Sequence, residues 1–246
     1  MRRPSSPYAA SYSFGPGPLS YALKVLIGVN VAAFIATTAL PSLIQWLGLV
    51  PATVLQQFQV WQLGTYMFLH GGLFHILFNM LALWMFGTEL ERLWGTREFL
   101  KFYFVCGIGA GVLTILFSLL PFGFSRQVYE SVIIGASGAI YGLLLAYALT
   151  YPERPILLIV FFVPAKICVA ILGAIALYSS LAERGGVANA THLGGLVVAY
   201  VYLRGRRAHP LAELKYRYLK WKINRVRRKF DVYSGGRADD YDRRIH

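Results

Sequence analysis

Four polar residues are notable among those inside apolar stretches of this 246-residue sequence, where a polar side chain needs a partner or a function. They are Ser137 in GASG, His192 in ATHLGG, and His75 with Asn79 in HILFN. A serine hydroxyl becomes a nucleophile when a neighbouring base removes its proton, and histidine is the commonest such base. The residue types therefore predict acyl-transfer chemistry, with Ser137 as the nucleophile and His192 as the base.

Other residues around this pair could stabilise the negative charge that such a reaction develops. His75 and Asn79 are four residues apart and share one face of a helix, from which both could donate hydrogen bonds to an oxyanion. The same side chains could instead bond to each other or to neighbouring backbone, with no part in a reaction. Gly135 stands two residues before Ser137, so the serine is expected near a helix N-terminus, whose amide groups favour an oxyanion. Tyr141, one turn after the serine, could pack against the imidazole.

Small residues would let the two reacting helices approach each other. Gly138 and Gly142 form a GxxxG face next to Ser137, and Gly195 follows His192 by one turn. Counting about 1.5 Å per helical residue from the expected cytoplasmic helix ends places Ser137, His192 and also His75 roughly 18–22 Å up, in one layer of a bilayer core about 30 Å thick. Three separate helices are thus expected to deliver polar groups to the same depth.

The elements that carry these residues are apolar throughout. Apolar residues make up 57% of the chain and charged residues 14%, and the mean hydropathy of +0.52 exceeds that of a water-soluble domain. Six apolar stretches are read as membrane-spanning helices, and they predict an all-α membrane protein, a six-transmembrane-helix bundle. The stretches are Tyr21 to Leu40, Tyr66 to Thr88, Glu98 to Leu120, Gly135 to Tyr151, Lys166 to Ala182 and Thr191 to Leu203.

Two further apolar segments are expected outside the spans. Residues 156–163, ILLIVFFV, are too short to cross and rich in β-branched residues, so we expect them to lie extended or interfacial, with the fifth helix starting at Lys166. The segment from Pro41 to Thr65 has no charged residue and carries Trp46 and Trp61, which predicts a loop in the membrane interface.

The charge distribution predicts the orientation of the chain. Of the 24 Lys and Arg residues, all but Arg126 and Arg184 lie on the cytoplasmic side if both termini are cytoplasmic. We therefore expect three regions: residues 1–20 as a disordered lead, 21–204 as the membrane domain and 205–246 as a basic cytoplasmic tail. The net charge of +13 is concentrated in that tail, which favours contact with an anionic inner leaflet and disfavours nucleic acid as a partner. A solvated helix that enforces topology remains the alternative for the tail.

The sequence predicts neither a third catalytic carboxylate nor a metal. No Asp or Glu lies in a span near the expected depth of Ser137, so the proposal is a Ser–His dyad. His70 precedes His75 by five residues, which is the wrong spacing for two ligands on one helical face, and either a local bond or a role near the site is open to it. Cys106 and Cys168 read as buried small hydrophobes. We expect no cofactor.

The ordered trio HGGLFHILFNM, GASGAIYG and ATHLGGLVVA resembles the rhomboid family of intramembrane serine proteases over roughly residues 20–205. The resemblance implies that Ser137 is the nucleophile, His192 its base and Tyr141 a packing partner of the imidazole. It also implies that His75, Asn79 and the Ser137 amide are the oxyanion donors. Family members often carry a Trp-Arg pair in the first outer loop, whereas Gln62 follows Trp61 here.

These observations predict an intramembrane serine endopeptidase that cleaves transmembrane-segment substrates near the outer side of the membrane. The expected location is a multi-pass integral protein of a bacterial inner membrane. The alternative is a non-catalytic rhomboid-like protein that binds or chaperones membrane proteins, although a pure binder needs no nucleophile and base. A channel or carrier would show inverted repeats or several ionisable groups along a path, and neither is present.

Overall fold

The computed structural model describes residues 16–121, 123–158, 161–181, 186–207 and 218–225. Within these ranges the chain is almost entirely helical, with one short β-hairpin. The helices are α1 (Tyr21–Ala39), α2 (Ser42–Leu47), α3 (Pro51–Gln57), α4 (Gln62–Thr65), α5 (Leu73–Ala82), α6 (Thr88–Trp94), α7 (Thr96–Ser118), α8 (Gly123–Glu130), α9 (Ser137–Thr150), α10 (Ala165–Leu181) and α11 (Gly186–Arg207). The strands are β1 (Pro155–Leu158) and β2 (Phe161–Pro164).

Three helical stretches are long and apolar enough to cross a membrane: Tyr21–Ala39, Leu73–Trp94 and Thr96–Ser118. Shorter apolar helices cover Ser137–Thr150 and Ala165–Tyr178. Each of the six stretches predicted from sequence overlaps a helix, so the all-α membrane class is confirmed. The count of six crossings and the cytoplasmic placement of both termini stay predictions.

The second predicted span begins later than the sequence analysis placed it. Residues Tyr66–Phe68 form a separate 3₁₀ turn, the chain is extended at Leu69, and α5 begins only at Leu73. The pair Gly71-Gly72 explains the break, because glycine is a poor helix former and residues of this kind separate helices. As a result, His75 lies in the first turn of α5. A π-helical stretch, Leu83–Gly87, then joins α5 to α6.

The core lies around α7, which packs against α9 along much of its length. The face of α7 that meets other helices is lined by fully buried aromatic and small residues, among them Phe99, Phe102, Tyr103, Cys106 and Ala110. Cys106 and Cys168 are both free and buried, as predicted. This combination of large and small side chains allows α9, the helix that begins at Ser137, to pack deep in the bundle.

Within the apolar segment 156–163, residues 156–158 lie in β1 and residues 161–163 lie in β2, which confirms the extended structure predicted for these residues. Residues 159 and 160 lie outside the described residues. The strands are antiparallel, with Pro155 opposite Pro164 and Ile156 opposite Val163. α10 begins at Ala165, one residue before the predicted start. Ala182, the last residue of the predicted fifth span, lies outside the described residues.

The segment between Pro41 and Thr65 consists of the three short helices α2, α3 and α4 rather than an irregular loop. Trp46 and Trp61 are exposed neighbours with ring centroids 5.6 Å apart, and the Trp61 indole N–H donates to the Trp46 carbonyl at 3.0 Å. Gln62 is fully buried, where its Oε1 accepts from the Val50 N–H and the Thr53 hydroxyl at 2.9 and 3.0 Å. A neutral amide therefore anchors this segment at the position where the family often has arginine.

Residues 16–20 of the predicted disordered lead make defined contacts, whereas residues 1–15 lie outside the described residues. The Ser20 hydroxyl caps α1 by accepting from the Leu23 N–H and donates to the buried Glu91 carboxylate at 2.5 Å. The Trp84 indole N–H donates to the Gly17 carbonyl at 3.2 Å. These bonds fasten the chain ahead of α1 to the α5–α6 region.

The chain divides into two compact units, Met1–Leu203 and Arg204–His246. In the second unit, residues 218–225 are helical, Tyr218 and Trp221 stack at 6.1 Å, and the Arg225 guanidinium lies over the Trp221 ring. Residues 208–217 and 226–246 of the predicted basic tail lie outside the described residues. Contact between the tail and an anionic leaflet therefore stays a prediction.

Candidate active site

Ser137 is the first residue of α9, and the chain that leads into it is held from two sides. Ile133 and Leu49 exchange backbone hydrogen bonds of 2.8 and 2.9 Å in an antiparallel bridge. Two residues later, the Gly135 N–H donates to the Tyr66 carbonyl at 2.9 Å. Gly135 has φ of +125°, a conformation that side chains rarely adopt, so glycine is required for the sharp entry into the helix.

The Ser137 Oγ lies 2.8 Å from the His192 Nε2, within hydrogen-bonding distance across 55 residues of sequence. Both side chains are half-buried. If the serine donates, the imidazole accepts at Nε2 and carries its own proton on Nδ1. The sequence placed these two residues on different helices at one depth, and the structure brings them into direct contact.

Close packing of α9 against α11 makes this contact possible. Gly195 lies against the Gly138 carbonyl with no space for a Cβ. A Cβ on Gly138 would come 2.9 Å from the Ala110 Cβ, and one on Gly142 would come 2.8 Å from the Cys106 side chain. Glycines therefore hold α9 close to both α7 and α11, which fixes the separation of Ser137 and His192.

Tyr141 stacks on the imidazole of His192 in the described structure. The ring centroids are 4.2 Å apart and the planes differ by 7°. Such a face-to-face contact limits the rotation of the imidazole about its side-chain torsions and so holds Nε2 toward the serine. Packing of the tyrosine on the base is what its spacing from Ser137 predicted.

The second ring nitrogen of His192, Nδ1, lies on the side of the imidazole away from Ser137. His192 Nδ1 is buried and has no hydrogen-bond partner among the described residues. Within the same residues, no group of three His, Cys, Asp or Glu side chains could hold a metal ion. A carboxylate that orients the base, as in a catalytic triad, does not accompany the pair in the part of the chain described.

His75 is oriented by a backbone amide and faces the turn before Ser137. The Gly71 N–H donates to His75 Nδ1 at 3.3 Å, which assigns the proton of a neutral ring to Nε2. That nitrogen lies 2.8 Å from where a Cβ on Gly135 would stand. The His75 Nε2–H is thus directed at the space beside the serine, where a substrate carbonyl oxygen could lie.

Asn79 is buried one turn further along α5. Its Nδ2 donates to the His75 carbonyl at 2.8 Å, so one of the two alternatives left open by the sequence, a bond to neighbouring backbone, is present. The amide nitrogen has a second hydrogen, and a role for Asn79 as an oxyanion donor stays a prediction. The Ser137 backbone N–H, at the first position of α9, also has no acceptor within its own helix.

Comparison with known proteins places these residues in a family. The model of the Rhomboid domain matches residues 57–207, a range that contains His75, Asn79, Ser137, Tyr141 and His192. The chain belongs to the rhomboid family. Together with the apolar helices, this membership makes it an integral membrane protein.

Curated rhomboid relatives come from several kingdoms. Rhomboid protein 1, mitochondrial, of Saccharomyces cerevisiae is 34% identical over 193 residues, which are 76% of this chain and 53% of the relative. RHOMBOID-like protein 1 of Arabidopsis thaliana is 30% identical over 188 residues, 68% of this chain and 45% of the relative. Rhomboid protease GlpG of Yersinia pestis is 30% identical over 185 residues, 74% of this chain and 60% of the relative. The chain thus spans about half the length of these relatives.

Two features of the rhomboid site were not found from the sequence. Tyr66 positions the Ser137 turn through its carbonyl, and its hydroxyl donates to the Gly107 carbonyl at 2.6 Å. Thr191, next to His192, is buried and pairs with Thr114 of α7, with 3.0 Å between the hydroxyl oxygens. The sequence signal for Thr114 and Thr191 is a polar residue within an apolar stretch, and it is weak because a threonine hydroxyl can bond to the backbone of its own helix, as Thr114 does to the Ala110 carbonyl.

His70 lies beside the site but bonds to none of its members. It is buried, and its ring meets that of His75 edge-on at 5.0 Å. The Phe68 backbone interacts with its ring, so a local structural bond and a role near the site both stay predictions for His70. Its contact with His75 is a packing contact.

Proposed function

We propose that this chain is an intramembrane serine endopeptidase that uses Ser137 and His192 as a dyad. The observation that carries the proposal is the 2.8 Å separation of Ser137 Oγ and His192 Nε2 in a half-buried setting. Membership of the rhomboid family supports it, since relatives in that family carry the name protease. The proposed substrates are transmembrane segments of other proteins, cleaved near the outer side of the membrane.

In the first proposed step, the Ser137 hydroxyl attacks the carbonyl carbon of the scissile peptide bond while His192 Nε2 takes its proton. A C–O bond forms, and the carbonyl oxygen becomes negatively charged. His192 then gives its proton to the leaving amine as the C–N bond breaks, which leaves an acyl-enzyme on Ser137. The stacked Tyr141 keeps the imidazole in place during both transfers.

Three donors are proposed to stabilise the oxyanion. The Ser137 amide N–H lies at the N-terminal end of α9, where the helix dipole also favours negative charge. The His75 Nε2–H is directed toward the same space by the Gly71 amide. The second amide hydrogen of Asn79 completes the set. Preorganised donors of this kind are worth several kcal/mol to a transition state.

In the second proposed step, water hydrolyses the acyl-enzyme. His192 removes a proton from the water as it attacks, and the restored Ser137 hydroxyl takes the proton back. Both side chains are partly accessible rather than enclosed, which supports entry of water. A location in a bacterial plasma membrane, with the basic tail on the anionic inner leaflet, remains part of the proposal.

A fluorophosphonate probe, which labels activated serines covalently, tests the function. Purified protein in detergent is treated with the probe and, separately, with a model transmembrane substrate. We expect wild type to label and to cleave, and Ser137→Ala and His192→Ala to do neither. The matched control Ser131→Ala removes a serine of intermediate burial whose hydroxyl donates to the Gln127 carbonyl, and it should behave as wild type.

Two outcomes would overturn the proposal. One is labelling of Ser137→Ala at the wild-type level, which would place the reactive serine elsewhere. The other is a folded wild-type protein that neither labels nor cleaves. This second result would favour a rhomboid-like protein that binds or chaperones membrane clients without cutting them.

A further inference from the structure

The hairpin of β1 and β2 is a part of the molecule that the proposed function does not use. From Pro155 to Ala165 the sequence PILLIVFFVPA contains no charged or hydrogen-bonding side chain. A strand with one face in water would alternate apolar and polar residues, whereas a continuous apolar run is typical of strands covered on both faces. The sequence of the hairpin is therefore unsuited to an aqueous surface.

The solvent exposure of side chains changes along the hairpin. Its base is the end at which Pro155 pairs with Pro164, and its outer end is the one at which Leu158 pairs with Phe161. At the base, Ile156 is buried against the helices at 6% exposure. At the start of β2, Phe161 and Phe162 are 72% and 73% exposed. Consecutive strand residues point to opposite faces, so both faces carry an uncovered phenylalanine. The protein itself covers the base and leaves both sides of the outer end open.

Charged residues lie at the base of the hairpin. The hairpin is closed by backbone bonds from Ala165 N–H to the Arg154 carbonyl and from Lys166 N–H to the Pro152 carbonyl. The Arg154 side chain pairs with Glu89 of α6, and Lys166 pairs with Glu153 at 2.5 Å. These partly or largely exposed ion pairs need water or head groups around them, so they mark the level of the membrane surface.

We propose that the outer end of the hairpin inserts into the lipid monolayer next to the start of α10, with both Phe161 and Phe162 among lipid chains. The lipid-facing surface continues onto α10, which the strands contact and whose residues Ile167, Ile171 and Ile175 are exposed. Lipid is the occupant because this apolar surface belongs to an integral membrane protein and adjoins the charged level of its base.

Backbone chemistry limits the depth of insertion. A two-stranded ribbon leaves the outer edge of each strand without backbone partners, and such groups are not tolerated in the middle of the hydrocarbon. The hairpin therefore lies in the outer part of the monolayer, where head groups and water still reach its edges. It would hold the N-terminal end of α10 at the membrane surface.

Site-directed spin labelling tests this placement directly. Nitroxides are attached to Phe161→Cys and Phe162→Cys in a Cys106→Ala, Cys168→Ala background, in liposomes of phosphatidylcholine and phosphatidylglycerol. Accessibility to oxygen, which concentrates in lipid, is compared with accessibility to a water-soluble nickel chelate. Labels at Glu153→Cys, on the charged base, and at Ile175→Cys, on the apolar face of α10, provide the aqueous and lipid references.

We expect the oxygen-to-nickel ratio at both phenylalanine positions to exceed that at residue 153 at least fivefold and to stay below that at residue 175, which lies about 15 Å further along α10. Ratios equal to that of residue 153 would overturn the proposal. A lipid-like ratio at one position alone would also overturn it, because the hairpin would then lie flat. Low access to both reagents with spin–spin broadening would show that a second copy of the chain covers the surface.

A second variant tests the same proposal if the cysteine variants fail to fold. Phe162→Trp, in the otherwise wild-type chain, is reconstituted with lipids brominated along their acyl chains. We expect the added fluorescence, relative to wild type, to be quenched by the bromolipid. Quenching of that added signal by aqueous acrylamide alone would overturn the proposal as well.

Discussion

Gly195 of α11 lies directly against the backbone carbonyl of Gly138 on α9, with no room for a side chain between the two helices. His192 is one turn before Gly195, and Ser137 is the neighbour of Gly138. The separation of the two backbones therefore sets the separation of the hydroxyl and the imidazole. Any residue larger than glycine at position 195 must push α11 away.

Gly195→Ala tests this relationship. We expect probe labelling of Ser137 to fall more than tenfold, because the displaced helix carries His192 out of reach, and the protein to lose about 1–3 kcal/mol of stability through overpacking. Labelling rates and thermal unfolding in detergent measure the two effects. The control is Gly28→Ala in α1, where a Cβ meets nothing within 4 Å. Equal behaviour of the two variants would show that close packing does not set the geometry.

Asn79→Ala tests the assignment of an oxyanion donor. We expect kcat to fall by about 100- to 1,000-fold with little change in KM, because the donor acts on charge that develops only in the transition state. Steady-state kinetics on a model substrate measure both constants, and expression should be nearly unchanged.

Asn30→Ala is the matched control for Asn79→Ala. Asn30 is buried in α1 and donates to the Leu26 carbonyl four residues earlier at 2.7 Å, the same local bond that Asn79 makes to His75 at 2.8 Å. Loss of the local bond alone should therefore affect both variants equally. Unchanged turnover in Asn79→Ala would remove this residue from the mechanism.

Tyr141 is expected to act through its ring. Tyr141→Phe keeps the ring that stacks on His192 and should retain most of the wild-type turnover. Tyr141→Ala removes the stacking, worth about 0.5–1.5 kcal/mol, and should slow turnover by about 2- to 12-fold. Comparing kcat of the two variants separates the ring from the hydroxyl. A larger loss in the phenylalanine variant would mean that the hydroxyl, not the packing, matters.

Gln62 is expected to stabilise the segment of α2 to α4 without taking part in catalysis. Gln62→Leu leaves the Val50 N–H and the Thr53 hydroxyl without this acceptor, so unfolding should become easier by about 1–3 kcal/mol. Thermal unfolding measures the change. The exposed Gln56, which bonds to the Tyr129 hydroxyl, supplies the control Gln56→Leu, with an expected change within about 0.5 kcal/mol. If Gln62→Leu unfolds like wild type, the anchor is elsewhere.

The helical membrane class, the extended strands within residues 156–163 and the residues that could react are all predictable from the sequence. These follow from local chemistry: apolar runs of sufficient length form helices in a membrane, and a polar residue inside such a run stands out. Ser137 at the start of a helix was also predictable, because Gly135 precedes it and glycine permits the required turn.

Features that depend on contacts between distant segments of the chain are visible only in the tertiary structure. Three such contacts join residues that share no local pattern. They are the bond from the Gly135 N–H to the Tyr66 carbonyl, the Thr114–Thr191 pair and the buried bonds of Gln62. The late start of α5 at Leu73 also escaped prediction, because hydropathy continues across the break at Gly71-Gly72. Depth counting placed Ser137 and His192 in one layer, but only the packing of glycines on α9 and α11 brings them within 2.8 Å.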